Sequence, residues 1–240
     1  MDPDPVTGDG GVEAGSVAAP EPVTPAHEPG DRHELRGEDA VGVGPHALPW
    51  PTGPEYDVEL LRDGDRRNVV DRYRYWTVEA IVADLDRTRH PFHVVIENLA
   101  HDFNIGSVVR TANAFNAASV RVVGRRRWNR RGAMVTDRYL HVAHHDDVGS
   151  LSAWARGAGL LVVGVDNLPG ALPLETYDLP RDCVLLFGQE GTGLSAAARE
   201  ACDVTVSIAQ YGSTRSINVG AAAAIALHAW VRRHSFGQHA

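Results

Sequence analysis

The chain has 240 residues, enough for one full domain with appended segments, and 43% of them are hydrophobic. No apolar run approaches the roughly 20 residues that a membrane-spanning helix needs, and the N-terminus lacks the basic and apolar regions of a signal peptide, so we expect no membrane association. The formal net charge of −8 hides an asymmetry, because residues 1–60 hold 13 acidic residues and two arginines, whereas residues 61–240 hold 18 acidic residues and 21 arginines. An acidic segment therefore precedes a mildly basic body.

The two cysteines, Cys183 and Cys202, favour a reducing environment over a disulfide framework. They lack CxxC spacing and lie beside apolar, strand-like segments. Isolated cysteines of this kind are typical of free, buried thiols. We therefore predict free thiols in a cytoplasmic protein.

Composition divides the chain into a tail, a lead-in and a main domain. Residues 1–50 are rich in proline, glycine and acidic residues and nearly lack periodic apolar residues. We predict that they are disordered, because they bury too little surface to offset the entropy of ordering. Residues 51–89 are predicted to form a helical, locally basic lead-in, with one helix face lined by Trp76, Val78, Ile81, Val82 and Leu85.

From residue 90 to residue 240, strand and helix patterns alternate. The strands are predicted at 92–96, 120–123, 160–165, 184–187 and 204–208, and the helices at 105–116, 151–158, 195–201 and 217–233. Continuous apolar strands are typical of parallel sheets that are buried on both faces. The alternation therefore predicts an α/β domain with a mostly parallel sheet and helices on both faces.

Three short segments of this domain combine glycines with a few polar side chains. They are 104–110 (NIGSVVR), 187–195 (FGQEGTGLS) and 207–218 (SIAQYGSTRSIN). Each lies where a predicted strand is followed by a helix, and glycine there lets a ligand approach the backbone closely. The second segment lacks the Lys-Ser/Thr of a P-loop and the position and acidic partner of a dinucleotide fingerprint. Together the three segments predict a site for a nucleotide-type ligand.

Individual residues in these segments have chemistry that suits such a site. Asn104 and Ser216 are predicted helix N-caps. Arg110 lies in an otherwise apolar helix, where its guanidinium must reach solvent or an anion such as phosphate. Glu190 projects from the glycine turn, where its carboxylate either orients a substrate or interacts with a helix dipole.

A basic loop is predicted after the second strand. Residues 124–131 (GRRRWNRR) place five arginines around Trp128. Guanidinium groups and an aromatic ring suit single-stranded or looped RNA, because phosphate neutralisation and base stacking add, although a solvated basic loop is the alternative. The predicted RNA contacts are Arg125, Arg126, Arg127, Arg130 and Arg131.

A histidine-rich stretch follows this loop. It contains His141, His144 and His145 with Asp146 and Asp147. The spacing matches no recognised metal cage and no cysteine is near, so we predict polar surface and no metal site.

In content and order, the three glycine-containing segments resemble motifs 1, 2 and 3 of the SpoU/TrmH branch of the SPOUT RNA methyltransferases. The resemblance extends over about residues 90–235. It implies an α/β fold with a C-terminal trefoil knot, which is an exception to the usual rule that chains do not thread loops. It also implies a homodimer, S-adenosylmethionine as the methyl donor with no metal, and a ribose 2′-oxygen of RNA as the acceptor.

The resemblance also implies which residues form the site. The residues matching the family's catalytic set are Asn104, Arg110, Glu190, Ser216 and Asn218. Those matching the cofactor-binding positions are Val165 (within the strand end 165–167), Gly188, Ile208, Ser216 and Ile217. Two departures from the family pattern leave these roles intact: Ala209-Gln210 stands where Pro-Met is common, and Ile217 replaces the usual leucine.

The family mechanism often treats the motif 1 arginine as a general base. Since the pKa of arginine lies above 12, we favour another role for Arg110. Our hypothesis is that it anchors the adjacent phosphate and stabilises negative charge on oxygen, with the proton leaving through phosphate or water. Asn104, Glu190 and Asn218 would then hold Arg110 and the ribose in line with the donor methyl group.

The sequence favours one RNA class but leaves other functions open. Motifs 2 and 3 are most similar to tRNA members that act on a D-loop guanosine, so tRNA is favoured over ribosomal RNA. Two further interpretations are a non-catalytic RNA-binding protein with a lapsed cofactor site, and an α/β enzyme that acts on free nucleotides.

Overall fold

A computed structural model describes residues 42–98, 104–189 and 191–236. The disorder predicted for the acidic tail falls almost wholly on residues outside these ranges, and so does Glu190. Within the described residues, no helix combines the length and the apolar composition needed to cross a membrane.

Seven strands form one sheet in which every neighbouring pair is parallel. The strand order is β3-β2-β1-β6-β4-β7-β5. The later strands β6 and β7 are inserted between earlier ones, so strands far apart in sequence become neighbours. The strands are β1 (His90–Asn98), β2 (Ala117–Gly124), β3 (Val142–His145), β4 (Leu161–Val165), β5 (Leu172–Pro173), β6 (Cys183–Phe187) and β7 (Val204–Ser207).

Helices cover both faces of this sheet. On one face Val108 of α3 and Leu227 of α6 belong to the larger apolar core, and on the other face Leu151 of α4 and Ala198 of α5 belong to a second core. The parallel sheet with helices on both faces is therefore confirmed, while the trefoil knot stays a prediction. The helices are α1 (Val58–Asp63), α2 (Val78–Asp86), α3 (Ile105–Ala114), α4 (Val148–Gly157), α5 (Ala196–Ala201) and α6 (Val219–His234).

The sequence patterns missed the two edge strands. β3 holds two histidines and has no fully buried residue, so it shows none of the apolar continuity of the central strands. β5 is only two residues long and exposed, and it contains Pro173. Proline is tolerated at a sheet edge because the missing N–H would face away from the ladder.

The lead-in contains two short α-helices, α1 and α2, with a 3₁₀ turn at Asp71–Tyr73 between them. In α2 only Ile81 is fully buried, and it packs with Tyr73 and Tyr139. Trp76 joins this cluster but precedes the helix, because Thr77 caps it by accepting from the Ala80 N–H. The predicted domain boundaries at residues 51 and 90 stay predictions.

Both cysteines are free thiols, as predicted. Burial raises the pKa of the Cys183 thiol to about 12 and that of the Cys202 thiol to about 11. Since the thiolate is the nucleophilic form, both side chains are weakly nucleophilic thiols at neutral pH.

His93 lies in a polar cluster under α4 that lowers its pKa. His93 hydrogen-bonds Ser119 Oγ through Nδ1 at 2.7 Å and meets the Trp154 ring edge-on, with ring centroids 5.0 Å apart. The Arg121 guanidinium lies 3.4 Å from the centroid of the same ring. Burial, and secondarily the Arg121 charge, lowers the pKa of His93 from 6.5 to about 4.

We expect the free energy of unfolding to fall as the pH is lowered from 6.5 towards 4. Between these two pH values the His93 imidazole is protonated in the unfolded chain but neutral in the folded chain. Unfolding is therefore coupled to proton uptake, and the folded state loses stability as the pH falls through this range. The loss is on the order of 2 kcal/mol, after allowance for solvent screening at a partly exposed site. Urea unfolding at pH 7.5 and 4.5 measures it. His93→Gln should reduce the change in the free energy of unfolding between the two pH values, whereas His228→Gln, at an exposed position, should leave it as in wild type. An equal change in wild type and His93→Gln would show that His93 is not its source.

Candidate active site

The carboxyl ends of β6, β4 and β7 lie side by side and open into a cavity of about 410 Å³. In open parallel sheets, this edge is where ligands bind. The chain segments that follow the three strands form its walls. The lining includes the predicted cofactor residues Val165, Gly188, Ile208, Ser216 and Ile217, and also Asn218 of the predicted catalytic set.

One wall is the glycine turn that follows β6. Gln189 and Gly193 exchange backbone hydrogen bonds of 3.0 Å in both directions, which brings the two ends of this turn together. A Cβ on Gly188 would stand 2.1 Å from the carbonyl carbon of Gly193 and 2.2 Å from the Leu194 nitrogen. Only glycine fits here, because the obstacle is backbone.

Asp166, directly after β4, stabilises this turn against the sheet. Its Oδ2 accepts a hydrogen bond of 2.8 Å from the Leu194 N–H, and a Cβ on Gly193 would stand 2.4 Å from the same oxygen. The sequence placed the range 165–167 at the pocket but did not single out this carboxylate. An acid directly after a buried apolar strand was the available signal, since such residues are seldom buried without partners.

A buried carboxylate joins the end of β1 to motif 2. Glu97 in β1 is fully buried, and its two oxygens accept hydrogen bonds from the Ser195 N–H (2.9 Å) and hydroxyl (2.7 Å). Ser195 also caps α5 by accepting from the Ala198 N–H at 3.1 Å. Glu97 was not predicted as a site residue, although an acid within an apolar strand run is unusual.

The helices α3 and α6 begin next to each other at the same edge. The Asn218 Nδ2 donates to Asn104 Oδ1 at 3.1 Å, which links motif 1 to motif 3 directly. A Cβ on Gly220 would stand 3.2 Å from the Ser107 Cβ, so a small residue in α6 lets the two helices approach.

Both predicted N-caps were wrong in detail. Asn104 occupies the N-cap position of α3, but its side chain makes no capping bond and accepts from Asn218 instead. Asn218, not Ser216, caps α6, with its Oδ1 accepting from Gly220 N at 2.8 Å. The cap and the contact to motif 1 thus use different atoms of one side chain.

Arg110 lies apart from the cavity formed by its own chain. It is exposed on α3, one turn after Ser107, and is not among the residues that line the cavity. Its guanidinium is therefore available to a partner outside the described residues of this chain. This differs from the polar residues of motif 3, which line the cavity directly.

The arginine loop begins at the same edge of the sheet. Asn98, almost fully buried at the end of β1, donates its Nδ2 to the carbonyl oxygens of Arg125 (2.6 Å) and Arg127 (3.1 Å). Trp128 packs partly against the main core, with the Arg130 guanidinium 5.5 Å from its ring centroid. The buried amide therefore fixes the loop backbone while all five arginine side chains are exposed.

The histidines after this loop contact protein groups. His144 Nε2 hydrogen-bonds the Gly124 carbonyl at 2.6 Å, and Arg121 Nη1 contacts His145 Nε2 at 3.0 Å. His141 lies 2.8 Å from Asp86, and Asp147 caps α4. In the part of the chain that the structure describes, no three His, Cys, Asp or Glu side chains are grouped to hold a metal.

Comparison with known proteins identifies the family. The SpoU rRNA Methylase family model matches residues 91–228. An uncharacterized tRNA/rRNA methyltransferase of Mycobacterium sp. (strain KMS) is 37% identical over 142 residues, which are 56% of this chain and 44% of the relative. The tRNA (guanosine(18)-2′-O)-methyltransferase of Escherichia coli (strain K12) is 26% identical over 147 residues, 60% of this chain and 64% of that enzyme.

A solved structure shows the same likeness in three dimensions. The SpoU methyltransferase AviRb from Streptomyces viridochromogenes, crystallised in complex with AdoMet, aligns with a TM-score of 0.55 and 31% identity, over 62% of this chain and 60% of that one. This chain thus spans less than two thirds of the length of each of these relatives. Because the family model matches more than half of the residues, including all three motifs, the chain belongs to the SpoU rRNA Methylase family.

Proposed function

We propose that this protein transfers a methyl group from S-adenosylmethionine to a ribose 2′-oxygen of RNA. The observation that carries the proposal is the cavity at the ends of β4, β6 and β7, which is walled by the glycine turn after β6 and by motif 3. Asn104 of motif 1 reaches this cavity through its bond to Asn218. All three motifs therefore meet at one edge of the sheet.

The cavity fits a nucleoside-type methyl donor. Its walls combine apolar side chains such as Ile208 and Ile217 with backbone of the glycine turn, where a Cβ at Gly188 is excluded. Gln210, which lines it, has a buried Oε1 atom with no hydrogen-bond partner. An unpaired buried acceptor is unfavourable, so a donor group on a ligand would stabilise this side chain. S-adenosylmethionine would supply an electrophilic methyl group at its sulfonium.

The chain's own polar residues would position the acceptor ribose. A hydroxyl is a weak nucleophile, and charge develops on its oxygen as the methyl group is transferred. Ser216 and Asn218 line the cavity and supply hydrogen-bonding groups at its edge. Arg110, exposed on α3, would bind the neighbouring phosphate and oppose the developing negative charge. We propose that Glu190 assists in holding this arrangement.

The arginine loop would bind the RNA strand. Arg125, Arg126 and Arg127 are exposed on a backbone that Asn98 fixes at the cavity's edge of the sheet. Phosphate contacts by such residues supply affinity that falls with salt. We propose tRNA, with a D-loop guanosine as the target, because the motifs are most similar to enzymes of that kind; the E. coli relative, which methylates guanosine 18 of tRNA, supports this choice.

We also propose that the active protein is a cytoplasmic homodimer. Arg110 does not line the cavity of its own chain, and Ile225 leaves an apolar side chain 43% exposed on α6. Both features suit a second copy packed against α3 and α6. Sedimentation at micromolar concentration should give twice the 25.9 kDa chain mass, and a monomer would contradict the proposal.

The activity is tested with the purified chain in two steps. Calorimetric titration with S-adenosylhomocysteine should show one site per chain. Incubation with methyl-labelled S-adenosylmethionine and deproteinised tRNA or ribosomal RNA, taken from cells without this protein, should then label one RNA fraction. The labelled linkage should resist alkaline hydrolysis, because a 2′-O-methyl group removes the attacking hydroxyl.

The possible outcomes separate the rival functions. Cofactor binding without transfer to any RNA would indicate a non-catalytic RNA-binding protein, and no cofactor binding would contradict the proposal outright. Replacing Arg125, Arg126 and Arg127 with glutamine should raise the KM for RNA and leave S-adenosylhomocysteine affinity unchanged. If the triple variant had the wild-type KM for RNA and the wild-type affinity for S-adenosylhomocysteine, an enzyme that acts on free nucleotides would be favoured. Label in ribosomal RNA alone would replace tRNA as the substrate.

A further inference from the structure

The loop between β7 and α6 carries an aromatic side chain that has no role in the fold. Tyr211 is 97% exposed, the largest exposed fraction among the exposed large hydrophobic side chains of the described residues. Within those residues its hydroxyl makes no hydrogen bond and its ring contacts no other ring. The five residues that follow it, 212–216, are all exposed as well.

This loop is held at both ends although its tip projects into solvent. The Ala209 N–H donates to Glu175 Oε1 at 2.9 Å, and the Arg215 carbonyl accepts from Asn167 Nδ2 at 3.2 Å. The anchors fix where the loop lies, so the Tyr211 ring is carried on a positioned segment. Such a segment loses less entropy on binding a ligand than a free chain does.

The same loop forms the rim of the candidate active site. Gln210, directly before Tyr211, lines the cavity, and so does Arg215, which is four residues after Tyr211. An aromatic ring and a guanidinium therefore lie on one short loop at the cavity mouth. On the arginine loop, Trp128 and Arg130 form a second pair of the same kind.

We propose that Tyr211 stacks on a nucleobase of the RNA, at or next to the nucleotide whose ribose is methylated. This inference rests on the proposed function and names a base-contacting residue for it. Base–aromatic stacking is the common way in which proteins hold unstacked RNA bases, and a fully exposed ring offers both faces for it. Arg215 adds a cation that suits the phosphate on either side of that base.

The test compares three substitutions at position 211. Tyr211→Ala should raise the KM for RNA by about tenfold or more, since a stacked base contributes affinity of that order, with little change in kcat. Tyr211→Phe should keep near wild-type KM, because the ring and not the hydroxyl makes the contact. Tyr211→Trp should give the wild-type KM for RNA or a lower one. Folding should be unaffected by all three, because the side chain is not packed.

A matched control comes from the other end of α6. Phe236 is 80% exposed and lies beyond a 16-residue helix, about 24 Å from its first residue. Phe236→Ala should leave the KM for RNA unchanged. S-adenosylhomocysteine affinity should be the same in all variants, because the ring lies outside the cofactor cavity.

Three results would overturn the inference while leaving the proposed function in place. They are an unchanged KM for RNA in Tyr211→Ala, a loss of S-adenosylhomocysteine affinity in that variant, and a change in its oligomeric state. The last would indicate that the ring contacts a second copy of the chain. If wild type itself neither binds S-adenosylhomocysteine nor methylates RNA, the proposed function fails, and the inference fails with it.

Discussion

Replacing Arg110 with alanine is expected to reduce methyl transfer by about 100-fold or more, because removing one group that stabilises developing oxyanion charge has an effect of this order. The side chain is exposed on α3, and the buried side chains of Ile105, Val108 and Ala112 lie on the other side of that helix, so the loss should not come from unfolding. Affinity for S-adenosylhomocysteine should stay unchanged, since Arg110 does not line the cavity. Single-turnover methylation and calorimetry measure the two quantities separately.

Arg110→Lys distinguishes the fork of the guanidinium from its charge. Lysine keeps the positive charge but cannot bind phosphate through two parallel hydrogen bonds, so most of the rate should be lost here too. Arg156→Ala is the matched control, because this arginine is exposed on α4 at the opposite face of the sheet. Near-full turnover of Arg110→Lys with unchanged RNA affinity would refute the anchoring role.

The regular part of the fold was predictable because its physical signals are local. β6 consists of five buried residues in a row, and the alternation of such runs with amphipathic stretches was enough to predict a parallel sheet between two helix layers. The edge strands β3 and β5 have no such signal. Their pairing is decided by the neighbouring strand and not by their own composition.

The candidate site was predictable as a set of segments but not as a set of contacts. Glycines mark close backbone approach, and Gly188 does lie against other backbone. The partners of polar side chains are set by tertiary structure instead. Asn104 was expected to cap its own helix, yet its oxygen accepts from Asn218, more than 100 residues later in the chain.

Long-range hydrogen bonds of this kind explain why the motifs occur together. Glu97 joins the end of β1 to motif 2, Asn98 joins it to the arginine loop, and Asn218 joins motif 3 to motif 1. Glu97 and Asn98 are buried and would be unfavourable without these partners, so the end of β1, motif 2 and the arginine loop constrain one another. A change in one wall of the cavity should therefore be felt in cofactor binding as well as in stability.

Gly188→Ala tests this coupling at the position with least space. The added Cβ would meet backbone atoms of Gly193 and Leu194 at 2.1 and 2.2 Å, so the turn must open. Opening it breaks the paired backbone bonds between Gln189 and Gly193 and displaces a cavity wall. We expect S-adenosylhomocysteine affinity to fall by roughly 100-fold or below detection, and stability to fall by about 1–3 kcal/mol, as in other overpacked sites.

Gly212→Ala, in the loop between β7 and α6, provides the control for this change. A Cβ at Gly212 has nothing within 4 Å, and the backbone there does not have the positive φ that favours glycine. Affinity for S-adenosylhomocysteine and the urea midpoint should both match wild type. The steric account would be wrong if Gly188→Ala bound S-adenosylhomocysteine within about threefold of wild type, because the glycine turn would then tolerate a side chain at its closest approach.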